Sequence, residues 1–420
     1  LDHTYDAAER ILTIHNDDQT PLLLKKFTYD HVSLPEDPYG LGKVHQAIRH
    51  NRVDLPGDGA DTITDVIVTE TYRYNAKGGR VSSRQTTNSA NSMDFLLTLS
   101  YTDLGQMQQI DYPICQAPED CPATPADVSV RAAYSNGYLT KLGDSNDSER
   151  FATAIRNHPN GMWEEIERPS GVKDNQSVFG HMKRRPQRIW VSDTTAGIAF
   201  NTGIYAYDGA GNITAMGTDS FDYDEHSRLD AASVGGFSLD FDYDAFGNLT
   251  KRGEANNPVN IPVNSSTNRI SDSSMAQYDD RGNVVAFRGQ EFEFGPFSQL
   301  THRRPDDGPN EDSLWTALYT ADDERLAVFD TASGQPGESW TLRGLDGKPL
   351  RQFLFFTVAV TEIFADDFET GNYCAWSTVT GATPCTTAQS SLRQVLVREY
   401  VWHGGRLLSE IYDGETFHLH

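Results

Sequence analysis

The sequence predicts an all-β protein: a long winding sheet of tandem β-hairpins with little or no helix. Three observations predict it. Aromatic residues make up 10% of the 420 residues and are spread along the whole chain, while the apolar total is only 37%. Glycine (34) and proline (19) are frequent enough to reverse the chain often, which suits many short strands. A short unit also recurs, reading Tyr, Asp, two variable residues, Gly, Asn and an aliphatic. No segment joins a sustained 3.6-residue period to caps at both ends, and Arg150–Ile155 is read as a single helical turn at most.

The unit is clearest at Tyr207-Asp208-Gly209-Ala210-Gly211-Asn212-Ile213, Tyr243-Asp244-Ala245-Phe246-Gly247-Asn248-Leu249 and Tyr278-Asp279-Asp280-Arg281-Gly282-Asn283-Val284. A sister form carries Arg in place of Asn, at Tyr5-Asp6-Ala7-Ala8-Glu9-Arg10-Ile11 and Tyr223-Asp224-Glu225-His226-Ser227-Arg228-Leu229. Degenerate copies begin at Tyr74, Tyr101 and Tyr319. Before Tyr243 the chain alternates, so Phe237, Leu239, Phe241 and Tyr243 are expected to share the buried face of a strand. Asp244 is expected to accept backbone N–H bonds inside the turn, with Gly247 and Asn248 supplying positive φ. Each unit is then a hairpin corner with an aromatic anchor, too small to stand alone and stable only when stacked on its neighbours. The irregular spacing of Tyr207, Tyr223, Tyr243 and Tyr278 disfavours a propeller, whose blades repeat at near-constant length.

Sixty acidic residues against 35 basic give a formal net charge of −25. Phosphate binding needs a basic surface, so nucleic acid is not an expected partner. No apolar run approaches the roughly 20 residues of a membrane-spanning helix, and the stretch Phe353–Val360 reads as a buried strand. The chain opens inside a repeat and stops abruptly at His420, which reads as a piece of a longer protein.

The cysteines form two local pairs, Cys115 with Cys121 and Cys374 with Cys385. Neither pair has the further ligands that zinc requires. Two loop-closing disulfides in an exported protein is the favoured reading, with four free thiols as the alternative. There is no G-x-S-x-G, H-E-x-x-H or Walker loop, and each Gly-Asn pair returns into a strand, so no catalytic residues are assigned. Trp163, Trp190, Trp315, Trp340, Trp376 and Trp402 are candidate sugar-stacking residues, set against ordinary core packing.

At these repeats the chain resembles the Rhs/YD-repeat proteins: bacterial Rhs polymorphic toxins, the toxin-complex B/C shells and teneurin-like YD repeats. The resemblance extends to Ala133-Tyr134-Ser135-Asn136-Gly137-Tyr138-Leu139, His158-Pro159-Asn160-Gly161-Met162, Arg185-Pro186-Gln187-Arg188-Ile189, Trp340–Gly347 and Glu399–Leu408. It implies part of a hollow β-shell, non-catalytic itself, that encloses a C-terminal toxin or other polypeptide of the same parent protein. The alternative is a cell-surface adhesin or carbohydrate-binding protein, with glycans as partners. Either implies a secreted or cell-surface bacterial protein. The expected organisation is a repeat array over 1–352, clearest at 205–300, then an insertion at 353–398 and a closing hairpin at 399–420. That hairpin stops before the Rhs-associated core, so no self-cleavage residues carry over. The insertion resembles a short motif of secreted bacterial proteins, and its Asp366, Asp367 and Glu369 offer oxygen ligands suited to calcium, the one cofactor considered.

Overall fold

The computed structural model describes the chain except residues 32–36, 56–62, 75–76, 92, 117–127, 147–149, 181–183, 194–196, 306–314, 331–336, 360–390, 404–405, 413–414 and 419–420. The described residues form antiparallel strands with no α-helix, and one short 3-10 element at Lys77–Gly79. Ala154–Asn157, at the end of the stretch read as a helical turn, is a strand instead, because it pairs with Trp163–Glu167. Within each sheet every strand is bonded to its neighbours in sequence, as tandem hairpins require. The winding sheet is divided into segments of ten strands (from Asp2–Tyr5 to Tyr138–Gly143), five (from Ala154–Asn157 to Gly197–Asn201), seven (from Tyr205–Tyr207 to Asn257–Asn260), two and eleven (from Ala276–Tyr278 to Glu415–His418).

The hydrophobic core is built where the first and last sheets face each other. Strand Ile63–Arg73 buries every second residue from Val66 onward, and Phe95, Leu97 and Leu99 alternate inward in the same way. Val53, Val66, Val68, Met93 and Phe95 of the first sheet pack on Leu318, Leu326, Trp340, Leu342, Phe353 and Phe355 of the last. A second cluster joins Leu97, Ile110, Tyr112 and Val130 to Phe151, Ile155 and Ile166, and to Leu350, Val401 and Leu408 near the end of the chain.

The clearest repeats lie outside this core. Between residues 205 and 300 the buried apolar side chains are Tyr205, Ala232 and Ala276. Phe237 is exposed rather than buried, because no second sheet covers that strand, and Leu239, Phe241 and Tyr243 are half-buried. The middle sheet is therefore a single layer, and its aromatic anchors cover the hairpins without filling a closed interior.

The strands Pro349–Ala359 and Ser391–His403 pair in register from Arg351 opposite Glu399 to Ala359 opposite Ser391. A continuous two-stranded ladder thus leads to and from residues 360–390.

Candidate functional site: the repeat turns and the polar seam

The repeat unit folds as one turn, used many times. In the copy at Tyr243, the Asp244 N–H donates to the Asn248 carbonyl and the Gly247 N–H to the Asp244 carbonyl. Asp244 Oδ1 accepts the N–H groups of Phe246 and Asn248 (2.9 Å each), while Asn248 Nδ2 donates to Asp244 Oδ2 at 2.8 Å. Asp208 with Asn212 and Asp279 with Asn283 repeat the clamp. In the sister form Arg228 Nε takes the place of the Asn amide on Asp224 Oδ2 (2.6 Å), and Arg10 Nε does so on Asp6 (2.7 Å). This explains why Asn and Arg alternate at one position: each is a donor long enough to reach the second carboxylate oxygen.

Asn212, Asn248 and Asn283 do not adopt the positive φ that was expected of them. They act through their side chains, and the left-handed residue is the one before. Gly211, Gly247 and Gly282 have φ of 105°, 88° and 92°. Glu9 and Ser227 hold the same position in the sister turns at 61° and 60°, inside the left-handed well open to ordinary residues. Gly247→Val should therefore destabilise by about 1–2 kcal/mol, the cost of forcing a bulky L-residue left-handed. Gly247→Asn should cost clearly less, because Asn tolerates that well. Urea unfolding of the two variants beside wild type checks the order, and equal stability of all three would reject this account of the turn.

The clamps hold the turn carboxyls below the ordinary carboxylate range. The leading cause is the Asn side-chain bond for Asp208, Asp244 and Asp279, the Arg10 side chain for Asp6, and the Arg228 backbone N–H for Asp224.

Neighbouring turns are also tied to one another. Arg228 lies over the Tyr243 ring, 4.6 Å from its centroid, and donates to the Asp244 carbonyl of the next turn. Arg10 lies over Tyr29 and forms a two-pronged pair with Asp30, whose carboxyl falls to about 2 under that influence. Asn212 reaches Ser227, and Asn248 reaches Asn268. Several tyrosine hydroxyls bond backwards along the chain: Tyr223 to the Ile213 carbonyl, Tyr207 to that of Pro186 and Tyr29, just before Asp30, to that of Ile11, while the Tyr278 hydroxyl accepts the Ile270 N–H. Tyr5 is exposed, in the outermost strand of the first sheet. Adjacent hairpins are thereby stitched at their turns through side chains as well as through the backbone ladder.

A second set of polar contacts joins distant parts of the chain, and no motif announced it. Asn51 Nδ2 donates to the Tyr319 carbonyl (3.0 Å), and the Tyr319 N–H returns a bond to Asn51 Oδ1 (2.9 Å). The fully buried Arg351 pairs with Glu399 and donates to the Pro113 carbonyl. Arg168 and Asp174, both fully buried, pair at 2.6 Å, and Arg168 also donates to the Leu408 carbonyl. Burial pushes the Glu399 and Glu70 carboxyls up. The contacts of Asn51, Arg351 and Arg168 connect distant strands of the fold.

Cys115 is disulfide-bonded. Cys121, Cys374 and Cys385 lie outside the described residues, as do Asp366, Asp367 and Glu369. Trp340 is fully buried, Trp163, Trp190, Trp315 and Trp402 are half-buried, and Trp376 lies outside the described residues.

Over 98% of its length the chain superposes on a Tc holotoxin pore of Photorhabdus luminescens carrying a mutated TccC3, with a TM-score of 0.59 and 12% identity. The fold is of the Rhs type. Crystal structures of TcdB2-TccC3-Cdc42 and TcdB2-TccC3-TEV match over the same share, with TM-scores of 0.58 and 0.59 at 12% and 13% identity. This chain spans 22% of the length of each of those chains. No family model matches the sequence, and no curated protein does.

Proposed function

We propose that the chain is a wall segment of an Rhs/YD-repeat shell. The shell encloses a polypeptide carried by the same parent protein, a C-terminal polymorphic toxin released in competition between cells, and the wall itself is non-catalytic. The observation that carries this reading is the ladder of clamped turns. It extends a sheet hairpin by hairpin, and in the middle of the chain it does so as a single layer, which is what a wall with two faces needs. The Asp clamp with interchangeable Asn or Arg gives the YD motif a physical meaning in this sequence. The likeness to toxin-complex structures supports the same reading at the level of fold. A disulfide at Cys115 is consistent with export to an oxidising compartment at or beyond the cell surface. The adhesin reading is less well supported, because Trp340 is fully buried and the other described tryptophans are half-buried.

Limited proteolysis of the intact parent protein tests enclosure. The polypeptide downstream of residue 420 should survive protease doses that destroy it when it is expressed alone. Cleavage at equal rates in both settings would refute the proposal.

A further inference from the structure

The connection between strands Leu23–Tyr29 and Val44–Asp54 brings together three metal-ligating side chains that the repeat architecture does not use. His31, Asp37 and His45 each present one ligand atom, all within 4.8 Å of one another. The Asp37 side chain is 1% exposed, and its Oδ2 lies 3.4 Å from His31 Nδ1. That separation already matches the edge of a tetrahedral zinc shell, about 3.3 Å for ligands near 2.0–2.1 Å from the ion. Asp37 Oδ1 accepts the Tyr74 N–H at 2.8 Å, which fixes the carboxylate and leaves Oδ2 toward the histidines. The two imidazoles stack with centroids 4.0 Å apart and planes 14° apart.

His45 supplies an independent observation. Its Nδ1 is buried and has no hydrogen-bond partner among the described residues. A buried polar atom without a partner is otherwise a cost to the fold. Gly40 closes the loop: a Cβ there would lie 1.8 Å from the His31 carbonyl oxygen and 3.3 Å from Asp37 Oδ2, so only glycine permits this approach.

We propose that His31, Asp37 and His45 form a binding site for a divalent transition metal of the zinc class, which ties His31 and Asp37 to the start of strand Val44–Asp54. Two imidazole nitrogens and one carboxylate oxygen suit zinc or cobalt and not calcium, which takes six to eight oxygens. The fourth position is left to water or to a further ligand. The proposal is independent of the shell reading.

The test uses the full 420-residue chain, stripped with chelator and titrated with Co²⁺ and then Zn²⁺. Wild type should take up one equivalent of Co²⁺ with visible ligand-field bands, and Zn²⁺ should displace it while excess Ca²⁺ should not. His31→Gln and His45→Gln should each weaken that binding at least tenfold. His226→Gln, an exposed histidine elsewhere, should leave it intact. Circular dichroism of the His31→Gln variant, whose side chain is partly exposed, separates lost ligation from lost folding. No stoichiometric cobalt spectrum in wild type, or binding that persists in both site variants, would overturn the assignment.

Discussion

Arg351→Met should lower stability by about 3–5 kcal/mol, because it strands a buried carboxylate. Arg351 is fully buried, sits directly opposite Glu399 across the ladder, and reaches the Pro113 carbonyl in the first sheet. Burial already holds the Glu399 carboxyl above its ordinary value, with Arg351 pulling it back. Without Arg351 it rises further. A carboxyl whose folded pKa exceeds its unfolded one binds protons more tightly when folded, so it weakens the fold as pH rises through that interval. The deficit of the variant should therefore be largest at neutral and alkaline pH and shrink as the medium is acidified toward the carboxylate range. Urea midpoints measured across that interval give the result. The double variant Arg351→Met with Glu399→Leu should recover most of the loss, since a buried pair replaced by apolar groups is often neutral. A single variant as stable as wild type at neutral pH would mean that the contact does not hold the seam.

Trp340→Ala should cost a similar amount, about 3–5 kcal/mol for a large side chain lost from a closed core. Trp340 is 0% exposed, with the Phe95 ring 5.8 Å away and the Phe329 ring set edge-on at 6.2 Å. Its indole N–H bonds Glu338. Phe95 belongs to the first sheet and Trp340 to the last, so the cavity opens at their junction. Thermal unfolding should show an earlier and broader transition as the two sheets separate before the ladders melt. Trp190→Ala, which removes a half-buried ring lying beside Arg188, should cost less than half as much. Equal losses from the two would place the core elsewhere.

What was legible in the sequence was local. The strands follow from alternation and the turns from the Tyr-Asp-x-x-Gly-Asn string, because each hairpin is decided by residues a few places apart. Gly247 was correctly read as the left-handed residue, whereas Asn248, expected to share that positive φ, instead clamps Asp244 with its side-chain amide. Phe237 was placed inside because alternation identifies one face of a strand and cannot say whether another sheet covers it. Asn51, Arg168 and Arg351 carried no motif at all. Their cross-sheet partners, the carbonyls of Tyr319, Leu408 and Pro113, lie 268, 240 and 238 residues away, at positions fixed only once the chain has folded back on itself. His31, Asp37 and His45 are close in sequence but follow no spacing that marks a site, and only the loop geometry brings them together.

The seam also constrains when the protein can finish folding. Nearly all strand pairing is between sequence neighbours, so the ladders can zip up in order as the chain emerges, with little loop entropy to overcome. Asn51 and Tyr319, however, are 268 residues apart. At the usual pace of synthesis, roughly 5–20 residues per second, that separation leaves the apolar face of Val53, Val66, Val68 and Phe95 uncovered for roughly 15–50 s. During that interval the nascent first half carries an open greasy surface. It is then a natural client for a holding chaperone, and most exposed to aggregation just before its own C-terminal half arrives to cover it.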